Sequence, residues 1–187
     1  MSVRGSLRRH RFIGTAVSLS ATVILASSLS ACSGDSDDSA EKTYTVPASL
    51  CGVAVDPSLV KALLPGGDSV SSAPSKPNGG TARCDVSVDD KAALRLTQTW
   101  WGARESATTV AQGYADTDDG TVSDDGRFLY AGKAGVGKTA SCTSSEHPDQ
   151  DLYAVVQVLG SDIDDQAAMK SLITDYTKAV ERSAACR

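Results

Sequence analysis

Histidine, metal-ligand spacing and basic charge are all scarce in this chain. Only two histidines occur in 187 residues, His10 and His147, and no Cys-x-x-Cys pair is present. That combination leaves no recognisable zinc site. The Gly-x-Ser-x-Gly elbow of α/β-hydrolases does not occur, and there is no internal repeat. No acidic residue precedes Asp35, and no charged residue lies between Phe12 and Leu29.

What the N-terminus does have is ordered. Arg4, Arg8, Arg9 and Arg11 form a positive region, and an uncharged stretch rich in Ala, Val, Leu, Ile and Ser follows. This is the layout of an export signal. It ends in Leu29-Ser30-Ala31-Cys32, which resembles the lipobox of bacterial lipoproteins. The resemblance implies cleavage after Ala31 and a diacylglyceryl thioether on Cys32, with palmitate-type chains holding the protein to the outer face of a membrane. The rival is a transmembrane helix, which needs about 20 apolar residues. Five serines dilute the run, and a transmembrane anchor needs no terminal Cys. Arg8-Arg9 matches a twin-arginine signal loosely, so the general and twin-arginine routes both stay open. Two or three acyl chains anchor stably where one does not, so the remaining domain needs no membrane-binding surface of its own.

Removing residues 1–31 takes four of the 18 Lys+Arg and none of the 23 Asp+Glu, which leaves 14 against 23 and a net charge of −9. Such a chain repels phosphate backbones and anionic headgroups, so nucleic acid is not an expected partner. The 156 residues that remain suffice for one domain. They are too few for the usual two-lobed solute receptor. Residues 32–46 are small, polar and acidic and are expected to form a flexible tether. Residues 47–187 are expected to form a single domain. Its four cysteines, Cys51, Cys84, Cys142 and Cys186, read as two disulfides in an exported chain, with three connectivities possible. Cys51–Cys84 with Cys142–Cys186 is favoured, because each bond then staples one half of the domain.

Along that domain, Asp56-Pro57 opens a short helix carrying Leu59, Val60, Leu63 and Leu64. Residues 65–81 read as a Ser-, Pro- and Gly-rich loop. Alternation over 82–88 and 93–101, with Asp89-Asp90-Lys91 between, predicts a β-hairpin. A helix over 104–115, an acidic loop over 116–126 and a strand over 127–131 follow. A strand containing Cys142 and another over 152–159 are expected next. Met169, Leu172, Ile173, Tyr176 and Val180 then form the apolar stripe of a closing helix, with Asp162, Asp164 and Asp165 near its start. The order predicts an α+β fold: an antiparallel sheet with helices packed on one face and two disulfides.

Four features invite functional readings. Gly132-Lys133-Ala134-Gly135-Val136-Gly137-Lys138-Thr139 matches the G-x-x-x-x-G-K-[ST] phosphate-loop pattern in full. A phosphate loop needs a helix directly after it. Residues 140–150 instead offer poor helix formers, a Cys and a Pro, so the string reads as a Gly-rich turn between strands, its glycines supplying positive φ, and ATP is not an expected ligand. His147 lies near Asp149 and several serines, the residue types of a triad, but the His-Pro-Asp stretch reads as a turn. The acidic loop 116–126 has residue types that suit calcium but lacks the ligand order of a calcium loop. Trp100-Trp101 is the most informative pair. Neighbouring strand residues face opposite sides, so one indole enters the core and the other faces out, where it could meet ligand, or lies under a helix; core packing of both is the competing reading.

The lipobox at Cys32, a Cys before a short Leu-rich helix (Cys51 to Leu64) and a Cys in the first strand (Cys84) form one set of features. A Gly-Val-Gly-x-x-Ala turn before a third Cys (Gly135 to Cys142) and a closing amphipathic helix complete it. Together these resemble a family of uncharacterised actinobacterial cell-envelope lipoproteins found in streptomycetes and mycobacteria. The resemblance implies an α+β domain and a sensor or binder, and it supplies no catalytic residues. The resulting expectation is a membrane-anchored extracytoplasmic binding module without catalysis, cofactor or metal, whose partner is an envelope ligand or protein. The alternatives are a wall hydrolase using paired carboxylates and a small-ligand sensor.

Overall fold

The computed structural model describes residues 41–186. The expected leader, Cys32 and residues 32–40 of the expected tether lie outside the described residues. Ordered chain begins earlier than residue 47. Gly67 N–H donates to the Glu41 carbonyl at 2.9 Å, Thr43 N–H donates back to Gly67 at 3.0 Å, and the Tyr44 hydroxyl donates to the Pro65 carbonyl at 2.6 Å. Tyr44 and Val46 are buried. The expected tether therefore does not extend to residue 46, because these two side chains carry enough apolar surface to dock on the core.

A two-residue hairpin comes first, β1 (Ser49–Leu50) and β2 (Val53–Ala54). Helix α1 (Pro57–Ala62) follows as its sequence predicts, with the Asp56 carboxylate accepting from Ser58 N–H at 2.8 Å. The strands are then β3 (Val70–Asn78), β4 (Thr81–Val88) and β5 (Lys91–Gly102). Helix α2 (Ala107–Ala111) is next. Strands β6 (Thr121–Val122), β7 (Phe128–Tyr130), β8 (Ala134–Lys138) and β9 (Gln150–Val158) precede α3 (Gln166–Arg182) and a 3-10 turn at Ala184–Cys186.

Seven strands form one antiparallel sheet in the order β3-β4-β5-β9-β8-β7-β6. Strand β9 inserts between β5 and β8 and is the centre of the domain. Its alternate side chains serve two cores. Leu152, Ala154, Val156 and Val158 join α1 and α3 on one face, while Tyr153 and Val155 join α2 on the other. The α+β class, the antiparallel sheet and both disulfides are as the sequence predicts. Helices α1 and α3 share one face as expected, and the short α2 departs from that arrangement by covering part of the opposite one.

Three local readings are corrected. Residues 70–78 of the expected 65–81 loop are an edge strand. Its side chains are nearly all exposed, so no apolar alternation marks it, and Pro74 and Pro77 are tolerated because an edge strand needs few donors on its free side. The strand expected to contain Cys142 is β8, which ends at Lys138, and Cys142 lies in the loop beyond. Helix α2 is shorter than the expected 104–115, starting where the Ser106 hydroxyl accepts from Thr109 N–H at 3.0 Å. The predicted hairpin turn is present, with Asp89 and Asp90 at φ of 47° and 61°, the pair of positive values a tight two-residue turn requires. The Ser69 amide and hydroxyl also donate to the Asp89 carboxylate, which holds its pKa below the usual range.

Helix α3 begins at Asp165, whose carboxylate accepts from Ala168 N–H at 2.9 Å. Replacing Asp165 with Ala is expected to cost about 1 kcal/mol. Urea denaturation would detect it as a lower midpoint with an unchanged slope.

Candidate functional site

The disulfides are Cys51–Cys84 and Cys142–Cys186, with sequence separations of 33 and 44. The first fastens the β1–β2 turn to β4. The second fastens the loop after β8 to the end of the α3 segment. This is the connectivity the sequence favoured.

The phosphate-loop string has a different structure from the one its pattern suggests and from the turn expected in its place. Residues 134–138 are strand β8 itself, and no helix occurs between Thr139 and Asp149. Positive φ is not the reason for its glycines either, since none of Gly132, Gly135 and Gly137 is among the positive-φ residues. They allow close approach instead. A Cβ at Gly135 would lie 3.1 Å from Ile173 Cβ and Met169 Sδ, and one at Gly137 would overlap the Thr177 hydroxyl. Helix α3 thus rests directly on the β8 backbone. Lys138 is held by Asp151 at 2.7 Å and donates to the Glu105 carbonyl at 3.1 Å, while the Thr139 hydroxyl donates to the Leu152 carbonyl at 2.8 Å. Both residues that would serve phosphate and magnesium in a phosphate loop are committed to the sheet.

In the acidic segment, Asp116, Asp118 and Asp119 border a hollow of about 390 Å³ with Asp164 and Lys133. Among the described residues no group of three or more His, Cys, Asp or Glu side chains is arranged to hold a metal ion. Among the described residues, the buried polar side chains other than tyrosine are all threonines. The Asp carboxyls with displaced pKa values, Asp56, Asp89, Asp125 and Asp151, are all displaced downward, chiefly by hydrogen bonds from Ser58, Ser69, Ser123 and Lys138 respectively. A glycosidase general acid requires the opposite displacement. No helix among the described residues is long and apolar enough to cross a membrane.

The two tryptophans separate as the strand period requires. Trp101 packs with Ala107, Val110 and Tyr114 under α2, where a Cβ at Gly113 would sit 3.4 Å from its ring. Trp100 lies on the α3 face, partly buried, and stacks on His147 with ring centroids 4.9 Å apart and planes 16° apart. His147 Nδ1 is 2.8 Å from Gln150 Oε1, so the ring's partner is an amide and not Asp149. Asp149 is therefore not the group that orients the His147 ring through Nδ1. Beside the stacked rings opens a groove of about 270 Å³. Gln98 and Leu152 from β5 and β9 lie at its base. Lys76 of β3, Gly79 of the β3–β4 turn, and Ser144 and Glu146 of the disulfide loop also line it. Gln98 Nε2 donates to the Tyr176 hydroxyl at 3.3 Å, and burial pushes that phenol up to about 12.

No family model, curated protein or solved structure matches this chain. Its site must be read from its own geometry.

Sequence reasoning reached Trp100 but not Gln98, Lys76, Ser144 or Glu146. Gln98 is the one polar residue among Leu94, Leu96, Gln98 and Trp100, the alternate positions of the strand predicted over 93–101. A Gln on an otherwise apolar strand face signals a buried partner or a cavity, and here it has both. The other three come from edge strand β3 and from the segment between β8 and β9, and nothing local marks them.

Proposed function

We propose that this chain is a lipid-anchored extracytoplasmic protein whose domain binds a small ligand in the Trp100 groove and performs no catalysis. The observation that carries the reading is the pairing of all four domain cysteines into two disulfides. Such bonds persist in oxidising compartments, and that agrees with the charge order and the Leu29-Ser30-Ala31-Cys32 tetrapeptide upstream. The reading includes membership of the actinobacterial envelope lipoproteins that the cysteine and glycine pattern resembles.

The anchor is tested by labelling cells with radioactive palmitate. The native chain is expected to take up label and sediment with membranes, and Cys32→Ala is expected to lose both. Globomycin, which blocks lipoprotein signal cleavage, is expected to leave the chain at its uncleaved length. Equal labelling of the native and Cys32→Ala chains would refute the anchor.

A further inference from the structure

Resting on that binding reading, we infer that the Trp100 groove takes one neutral sugar ring of an envelope glycan. Size is the first constraint. At about 270 Å³ the groove is at or below the lower end of small-molecule sites, which run from about 300 to 1,000 Å³, so it suits a ring-sized group and not a large cofactor.

Charge is the second constraint. The residues that line the groove include one ammonium, Lys76, and one carboxylate, Glu146. Neither sign dominates, and the acidic balance of the exported chain opposes polyanions such as phosphate-rich polymers.

The third constraint is the set of hydrogen-bonding groups already fixed at its base and wall. Gln98 donates its amide to Tyr176, which leaves its carbonyl oxygen to accept. The Ser144 oxygen accepts from Glu146 N–H at 3.2 Å, which leaves its hydroxyl proton to donate. His147 Nδ1 is taken up by Gln150 at 2.8 Å, which leaves Nε2 as the ring's other hydrogen-bonding atom. Sugar hydroxyls both donate and accept, so an amide acceptor, a hydroxyl donor and an imidazole nitrogen beside an indole match their two-sided chemistry. The indole supplies apolar contact for ring C–H groups at little entropic cost, since Trp100 is already held by His147.

The chain has two tryptophans, so Trp101→Phe leaves Trp100 as the sole indole reporter. The oxidised full chain carrying that change would be titrated with chitotetraose and maltotetraose while following emission. At least one sugar is expected to give a saturable change. Gln98→Ala and Gly79→Leu are each expected to weaken it about tenfold, a loss of one neutral contact or of ring space. A Cβ at Gly79 meets nothing within 4 Å, so that variant is expected to fold, and a bulky side chain at this groove-lining position is expected to crowd the ligand. Lys76→Met and Glu146→Gln are expected to change affinity by less than about twofold. Absence of saturation with both sugars would overturn the inference, as would unaltered binding in Gln98→Ala and Gly79→Leu or loss of binding in either charge variant. Palmitate labelling at Cys32 is independent of all these outcomes, so failure here leaves the anchor standing.

Discussion

Serine at both Cys142 and Cys186 is expected to lower the stability of the domain by about 4 kcal/mol. The bond closes a 44-residue separation, so its loss returns a large loop entropy to the unfolded chain. Domains of this size hold only about 5–15 kcal/mol in all, so one bond is a large fraction. The bond also holds the 3-10 turn at Ala184–Cys186 against the loop that carries Ser144, Glu146 and His147, and its removal is expected to loosen the groove as well as the fold. Urea denaturation of the double-serine variant, beside the native chain with and without dithiothreitol, would measure both parts. Cys51→Ser with Cys84→Ser is expected to cost a similar amount at 33 residues' separation. A loss below about 1 kcal/mol for either pair would contradict the chain-entropy account.

Gly137→Ala is expected to destabilise the domain by about 1–3 kcal/mol although it adds one methyl group. The new Cβ would overlap the Thr177 hydroxyl and stand 3.1 Å from the Phe128 ring. Thr177 cannot simply swing away, because it is buried and its hydroxyl donates to the Ile173 carbonyl at 2.7 Å. Combining Gly137→Ala with Thr177→Ala is expected to recover most of the loss, giving a double-mutant coupling of about 1 kcal/mol or more in denaturation midpoints. A phosphate-loop glycine would behave differently: Gly137→Ala would then abolish nucleotide binding with no rescue by Thr177→Ala. Additive effects of the two substitutions would sink the close-packing explanation.

How far the fold was legible depended on which signal each element carried. The β4–β5 hairpin declared itself by alternation, since Val86, Val88, Leu94 and Leu96 all point into the α1–α3 core. Helix α3 declared itself by its stripe, and all five of its predicted apolar residues are buried. Strand β3 was silent because it buries almost nothing and is held by backbone pairing that side-chain chemistry does not record. The 132–139 string misled in a subtler way. Its glycines do have a purpose, but they serve the passage of a helix and not a turn, and the pattern alone cannot tell close approach from positive φ. The groove was half legible. Trp100 stood out, while Gln98 and the loop residues acquire meaning only when residues 76 to 185 converge.

Strand β3 ends one side of the sheet with Pro74 and Pro77, and β6, only two residues long, ends the other. An exposed sheet margin is a template on which a second chain can add a strand. Here one margin is interrupted by residues that lack a donor and the other is too short to recruit a partner. Copies confined at high density to a common surface would meet edge to edge more often than free ones, and these margins give them little to zip together. Resistance to fibrillar self-association is therefore built into the two ends of the sheet.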